Sequence, residues 1–147
     1  MKAIQITEHV SAPPERVFAA ASDFAHAAER IPGISKIELL TPGPTRLGTR
    51  FRESRRGMGT EELEVTRFDP PRALEISARS CGCTLATEFR FTPEGPGTRV
   101  EVALQSQAHT LFARLLSPLA WLMSGLVKRC LQNDLAALKR FCEQPPA

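Results

Sequence analysis

The sequence lacks a strong excess of charge of either sign. Its 19 basic and 16 acidic side chains leave a formal net charge of +3, and the two kinds are interleaved along the chain. A nucleic-acid-binding domain typically carries a basic patch or stripe on one face. We therefore expect no nucleic-acid partner.

No uncharged segment is long enough to cross a membrane. The longest lies between Arg114 and Lys128, well short of the roughly 20 residues that a membrane-spanning helix needs. Residues 1–10 include Lys2 and Glu8 and have no long apolar core, unlike a signal peptide. We expect a cytoplasmic protein without a transmembrane segment.

Signatures of metal, cofactor and nucleophilic chemistry are also missing. Cys81 and Cys83 share one turn, but no second pair follows at the spacing of a four-ligand zinc site. The other two cysteines, Cys130 and Cys142, fall at apolar helical positions, and all four should be reduced thiols. No histidine pair has metal-ligand spacing, and no phosphate loop or dinucleotide motif occurs. We expect no metal and no cofactor, and no motif names a reaction.

The first third of the chain shows a strand followed by two short helices. Residues 3–10 alternate between apolar and polar, and Pro13-Pro14-Glu15 then introduces an apolar run typical of a helix. A second helical segment near residues 24–30 should end before Pro32, because the residue before a proline favours extended geometry. A chain of 147 residues can bury enough surface to form one hydrophobic core without disulfide bonds or a structural metal, so we expect a single domain over residues 1–147.

The rest of the pattern predicts a sheet and a final helix. From residue 34 onward, six segments have apolar side chains at every second position, separated by turns rich in glycine and proline. A helical pattern then runs over residues 111–142, with a kink or restart at Ser117-Pro118. Its apolar arc comprises Val127, Cys130, Leu131, Leu135, Leu138 and Phe141. This predicts an α+β fold, with a curved antiparallel sheet of about seven strands around a long C-terminal helix.

Inward strand positions and the inner helix face should converge on one space between sheet and helix. The predicted wall of this cavity comprises Phe51, Leu63, Val65, Ile76, Thr87, Phe89, Val102 and Leu104 from the strands, and Leu119, Leu122, Met123 and Leu126 from the helix. Apolar residues at the same spacing are equally expected in a solid core. Residues 115–126 are apolar on nearly all sides, so the early helices, a ligand, a dimer partner or a membrane surface must cover them. Monomer and homodimer both stay open.

Three polar residues are candidates for proton transfer. Alternation places Glu53 in phase with Phe51 and Glu61 in phase with Leu63. Acids facing an apolar space have raised pKa values and can act as acid or base in a cyclisation or dehydration. The alternative is ion pairing with one or more of Arg52, Arg55, Arg56 and Arg67. His109, near one mouth of the cavity, is a third candidate or a solvated linker residue.

Two further charged features need a partner. Asp134 falls at the edge of the helical arc, where an ion pair with a strand or an early helix would satisfy it. Arg50, Arg52, Arg55 and Arg56 form a basic cluster. The cluster is either a solvated sheet face or a docking surface for anionic lipid or an acidic partner.

Five segments in order carry a resemblance that spans almost the whole chain. They are ITEHVSAPPERVF (residues 6–18), LGTRF (47–51), VTRFDPP (65–71), GTRVEV (97–102) and LQNDLAALKRF (131–141). Together they resemble the helix-grip superfamily of START-like, birch-pollen-allergen-like and polyketide cyclase/dehydrase proteins. The resemblance implies a curved sheet gripping a long helix around an apolar cavity, and no shared catalytic residue.

Three functions follow as hypotheses. The first is binding of a hydrophobic or aromatic small molecule, such as a lipid, quinone or polyketide-like compound, in the cavity. The second is a cyclase or dehydratase that uses Glu53, Glu61 or His109. The third is an interaction module that docks on a protein or a membrane through its apolar helix. Fold alone does not choose among them.

Overall fold

A computed structural model describes residues 3–57, 59–80, 83–108 and 124–144 of the chain. The strands are β1 (Ala3–Val10), β2 (Ile34–Leu39), β3 (Arg50–Arg55), β4 (Gly59–Asp69), β5 (Ala73–Ser80), β6 (Cys83–Glu94) and β7 (Gly97–Ala108). The described α-helices are α1 (Pro14–Ala21), α2 (Ala27–Arg30) and α3 (Ser124–Glu143), and one 3-10 turn (Phe24–His26) precedes α2. The predicted restart at Ser117-Pro118 lies outside the described residues.

The seven strands form one antiparallel sheet in the order β1-β7-β6-β5-β4-β3-β2. Strands β2 to β7 are therefore a meander in which each strand pairs with the next one along the chain. The exception is β1, which pairs with β7 so that Ile4 lies opposite Leu104. The predicted α+β helix-grip fold, with short helices after the first strand and a long helix at the end, is confirmed.

The short helices begin and end where the prolines dictate. Pro14 occupies the first turn of α1, where its missing N–H needs no partner. Helix α2 ends at Arg30, and Ile31 takes extended geometry with φ −111° and ψ 108°, as the residue ahead of Pro32 should. Helix α1 packs against β6 and β7, and helix α2 packs against β2.

Hydrogen bonds join the C-terminal end of α3 to residues at and after the end of β1. The Arg16 side chain donates to the Cys142 carbonyl at 2.9 Å, and Lys139 Nζ donates to the His9 carbonyl at 2.7 Å. The Ser11 amide donates to Glu143 Oε2 at 2.8 Å. Because the last carbonyls of a helix lack intrahelical partners, the Arg16 contact also caps α3.

The solid part of the core lies where α1 meets the sheet. Phe18 packs edge-on against Phe68 and Phe91, with ring centroids 5.4 and 5.5 Å apart. Phe24 stacks on Phe51 at 4.2 Å. Edge-to-face and offset-stacked rings are the favoured aromatic arrangements.

No described helix is long and apolar enough to span a membrane.

Candidate functional site

A cavity of about 280 Å³ lies between the sheet, α3 and the short helices. Its apolar lining from the strands comprises Ile34, Phe51, Leu63, Ile76, Ala78, Leu85, Phe89, Val102 and Leu104. Its apolar lining from the helical segments comprises Ala20, Ala21, Phe24, Ala27, Ile31, Val127, Leu131, Leu135, Leu138 and Phe141. The polar groups are concentrated in a few residues: Arg30, Glu53, Arg55, Glu61, Thr87, Cys130 and Asp134.

The structure brings most of the sequence-predicted strand residues to this cavity. They are Phe51, Leu63, Ile76, Thr87, Phe89, Val102 and Leu104. Leu119, Leu122, Met123 and His109 lie outside the described residues. Whether the lining residues bind a ligand stays a prediction.

Two predicted wall residues, Val65 and Leu126, do not line the cavity. Val65 has the inward parity of Leu63, but its side chain is fully buried in the core cluster and is not part of the cavity wall. The ladder between β4 and β5 is irregular just after it, as at a β-bulge. Leu126 is 52% exposed, because the helical period turns it about 100° away from Val127, which does line the cavity.

Sequence reasoning missed the wall that the short helices provide. Small alanines on α1 and α2, including Ala20, Ala21 and Ala27, face the cavity and leave room that larger side chains would fill. Helical spacing predicts the apolar arc of α3, but the predicted cavity wall included none of its residues. Every residue of that arc, from Val127 to Phe141, lines the cavity.

A charged cluster of Glu53, Arg55 and Asp134 joins strand β3 to helix α3 at the cavity. The Arg55 guanidinium donates from Nε to Glu53 Oε2 at 2.8 Å. It also donates through its two terminal nitrogens to both oxygens of Asp134, at 3.2 and 2.6 Å. This bidentate geometry is the strongest form of an arginine–carboxylate contact. The expected partner of Asp134 is thus an arginine on a strand.

The environment of the cluster raises the pKa values of Glu53 and Arg55. Burial raises the pKa of Glu53 above its ordinary value, and the adjacent Arg55 charge acts in the opposite direction. Burial alone would lower the pKa of Arg55, but its hydrogen bond to Asp134 and the two carboxylate charges raise it. Arg55 is therefore held as a cation, and Glu53 retains its proton to a higher pH than an ordinary glutamate.

Glu61 stands opposite Glu53 in the β3–β4 ladder and also lines the cavity. It is exposed, which places it at an open part of the wall. Its carboxylate makes no hydrogen bond or ion pair within the described parts of the chain, and its charge adds to the rise in the Glu53 pKa. Of the two candidate acids, Glu53 forms an ion pair with an arginine, and Glu61 forms none within the described parts of the chain.

Arg30 forms a second positively charged part of the wall. Its guanidinium carbon lies 3.9 Å from the centre of the Phe141 ring, a cation–π contact. The same group pairs with Asp23 at 3.1 Å. Nothing in the periodicity of the sequence distinguishes Arg30 from a surface residue, because Phe141 comes from the distant α3.

The arginine cluster expected from the sequence separates into different environments. Arg55 faces the cavity, whereas Arg50 pairs with Glu62 and Arg52 with Glu38 on the exposed face. The Arg56 side chain donates to the Pro32 carbonyl at 3.2 Å. Alternation along β3 causes this separation, since neighbouring residues of a strand point to opposite faces. The arginines do not form one continuous basic patch.

The described cysteines do not form a metal site. Cys83, Cys130 and Cys142 are free thiols, and no group of three metal-ligating side chains occurs in the parts of the chain that the structure describes. Burial raises the pKa of the Cys142 thiol to about 11. Cys142 is therefore a packing residue, and Cys130 is a half-buried part of the cavity wall.

Comparison with protein families agrees with this architecture. A family model described as polyketide cyclase / dehydrase and lipid transport matches residues 1–143. The chain belongs to this family. Membership in the polyketide cyclase / dehydrase and lipid transport family accounts for the sheet and the long helix described above, and fold alone does not fix the chemistry.

Solved structures resemble the chain at low sequence identity. TTHA0849 from Thermus thermophilus superposes with a TM-score of 0.70 at 23% identity, covering 95% of each chain. The di-domain ARO/CYC BexL of the BE-7585A biosynthetic pathway has a TM-score of 0.80 at 19% identity, over 99% of this chain and 51% of BexL. Truncated norcoclaurine synthase from Thalictrum flavum has a TM-score of 0.75 at 14% identity, over 99% and 95% of the two chains. A search of curated proteins found no match. These likenesses establish the fold alone.

Proposed function

We propose that this protein binds a hydrophobic or aromatic small molecule, such as a lipid, quinone or polyketide-like compound, in the cavity between the sheet and α3, in the cytoplasm. The observation that carries the proposal is the cavity itself, with an apolar wall and few charged groups. Ligand pockets typically combine these two properties. Binding would remove the ligand from water, while the charged groups orient its polar end.

The size of the cavity limits the ligand. Its volume of about 280 Å³ lies just below the usual range of roughly 300–1,000 Å³ for small-molecule pockets. A compact molecule of one to three rings, or a short acyl chain, fits this space better than a two-chain lipid. Aromatic lining residues, among them Phe24, Phe89 and Phe141, favour flat rings.

Titration with the neutral apolar fluorophore N-phenyl-1-naphthylamine tests the proposal. We expect a saturable rise in fluorescence with one site per chain. Ala78→Phe should fill the cavity and weaken binding by at least about tenfold, or ~1.4 kcal/mol. Ala86→Phe is the matched control, because Ala86 lies on the neighbouring strand between the lining residues Leu85 and Thr87 and takes the opposite parity.

The two variants separate cavity binding from surface adsorption. Far-UV circular dichroism first checks that both variants keep the wild-type fold. Absence of saturable binding to the folded wild type, or equal loss in both variants, would overturn the proposal. Native mass spectrometry of the protein from its own host, followed by denaturing extraction, then names the ligand class.

A second candidate function, a cyclase or dehydratase, is favoured by one observation. The Glu53 carboxyl is buried in the cavity wall with a raised pKa, and Glu61 lies opposite it. An acid of raised pKa beside a bound substrate can donate or accept a proton. Once turnover of a polyketide-like substrate is found, Glu53→Gln and Glu61→Gln test it. Loss of kcat in either variant supports catalysis, and unchanged turnover in both excludes these two residues.

A further inference from the structure

Among the described residues, the cavity wall contains two cations and three carboxyl groups, and each cation is paired with at least one carboxylate. We propose that the cavity takes an apolar molecule whose polar end donates hydrogen bonds, such as an aromatic hydroxyl, and disfavours ligands that carry a carboxylate. This inference rests on the proposed ligand-binding function and names the chemistry of its ligand. It follows from the carboxyl groups that surround each cation and from the carboxylate oxygens of the wall that have no described partner.

The Arg55 guanidinium is already bonded to two carboxyl groups of the protein. Both of its terminal nitrogens donate to Asp134, and its Nε donates to Glu53. A ligand carboxylate that approached the two remaining N–H groups of Arg55 would lie beside the Glu53 and Asp134 carboxyl groups and meet like charge. Arg55 therefore organises the wall and does not act as an anion receptor.

Arg30, the other cation of the described wall, has one acidic partner. It pairs with Asp23 and covers the Phe141 ring with its face. A new anion at Arg30 would compete with the Asp23 carboxylate and disturb the ring contact. Among the described lining residues, no cation lacks an acidic partner.

The described wall also offers carboxylate oxygens that are free to accept a hydrogen bond. The Glu61 carboxylate has no hydrogen-bond partner in the described parts of the chain, although it lines the cavity. Arg55 bonds only Oε2 of Glu53, which leaves Oε1 without a described partner. Ionised carboxylates only accept hydrogen bonds. A ligand hydroxyl near Glu61 gains such a bond, whereas a ligand carboxylate meets a like charge.

The conclusion holds for either protonation state of Glu53. When Glu53 is ionised, the charges around Arg55 sum to a net negative value, and Glu61 adds to it. When Glu53 is protonated, Arg55 and Asp134 neutralise each other and Glu61 is still negative. In neither state do the described residues on this side of the cavity carry a net positive charge.

Three probes with the same ring system test the inference by displacement of N-phenyl-1-naphthylamine at pH 7. They are 2-naphthol, which is a neutral donor, 2-methoxynaphthalene, which has no donor, and 2-naphthoate, which is an anion. We expect 2-naphthol to bind about tenfold more tightly than 2-methoxynaphthalene, as a hydrogen bond to a charged acceptor predicts. We expect 2-naphthoate to bind most weakly of the three.

Two glutamates on strand β4 provide a matched pair of variants. Glu61→Gln removes the charge of the free acceptor, and it should reduce the preference for 2-naphthol and strengthen 2-naphthoate relative to wild type. Glu62→Gln is the control, since Glu62 lies on the exposed face and pairs with Arg50. A cavity that rejected anions only through desolvation would give the same probe ratios in both variants.

The outcomes distinguish this inference from the function on which it rests. If N-phenyl-1-naphthylamine does not bind the folded protein, the proposed function fails and the inference fails with it. If the fluorophore binds in the cavity but 2-methoxynaphthalene or 2-naphthoate matches 2-naphthol, only the inference is overturned. Equal probe ratios in Glu61→Gln and Glu62→Gln would also overturn it.

Discussion

Replacing Arg55 by methionine removes the central charge of the cluster that joins the sheet to α3. The side chains of Glu53, Arg55 and Asp134 are only 16, 22 and 20% exposed. Arg55→Met keeps an unbranched side chain but leaves two mutually repelling carboxylates at the edge of an apolar cavity. Breaking a fully buried ion pair costs about 3–5 kcal/mol. Because a fifth of each side chain still contacts water, we expect the free energy of unfolding to fall by about 2–3 kcal/mol at pH 7.

The loss should depend on pH in one direction. The Arg55→Met change removes the charge that lowers the Glu53 pKa, so this pKa should lie further above that of the unfolded chain. Such a group contributes stability at low pH that is lost as pH rises through its folded pKa. The deficit of Arg55→Met relative to wild type should therefore be largest at pH 7 and shrink toward pH ~4, where carboxyls become protonated.

Urea denaturation followed by far-UV circular dichroism at pH 7 and pH 4 measures both effects. Arg52→Met is the control, because Arg52 lies on the same strand but pairs with Glu38 on the exposed face, at 49% exposure. An exposed pair contributes about 0–1 kcal/mol. A loss at pH 7 no greater in Arg55→Met than in Arg52→Met would refute the reasoning, as would a deficit that does not shrink at pH 4.

Two further predictions concern the ends of the sheet and the titration of the cavity. Gly97→Ala should lower the free energy of unfolding by about 2–3 kcal/mol, because a Cβ there would overlap the Val10 carbonyl oxygen across the β1–β7 pair. Gly125 has open space around it, so Gly125→Ala should instead raise the free energy of unfolding by about 0.5–1 kcal/mol. An equal change in the two variants, measured by urea denaturation, would contradict this prediction. Burial raises the pKa of Glu53 above 4.5, so the stability of the wild type relative to Glu53→Gln should fall as pH rises from about 4 toward 7. A difference that stays flat, or that grows in favour of the wild type over this interval, would argue against a raised pKa.

The order of elements was predictable because each depended on a local pattern. Period-two alternation assigned Phe51 and Glu53 to the same face of β3, and the ladder places both at the cavity. Helical spacing likewise selected the arc from Val127 to Phe141, all of which faces inward. These assignments need only the geometry of a strand or helix, which the sequence carries directly.

The rest depended on contacts between distant segments, which no periodicity encodes. Val65 has the correct parity for a cavity residue, yet its side chain packs within the buried core cluster. Arg55 was one of several possible partners for Glu53, and only the position of Asp134 on α3 makes it the centre of the cluster. The contribution of Arg30 required its approach to Phe141 across the cavity. Such contacts are set by packing of whole elements and not by local pattern.

The pairing of β1 with β7 has a consequence for how the chain reaches its fold. Every other strand pair joins neighbours in the meander, whereas Ile4 pairs with Leu104 across all the intervening strands. Closing so long a loop has a large entropic cost, and non-local contacts of this kind slow folding. The meander from β2 to β7 should therefore nucleate first, and β1 should dock late. Weakening the β1–β7 pair would then act mainly by speeding unfolding, with little effect on the folding rate.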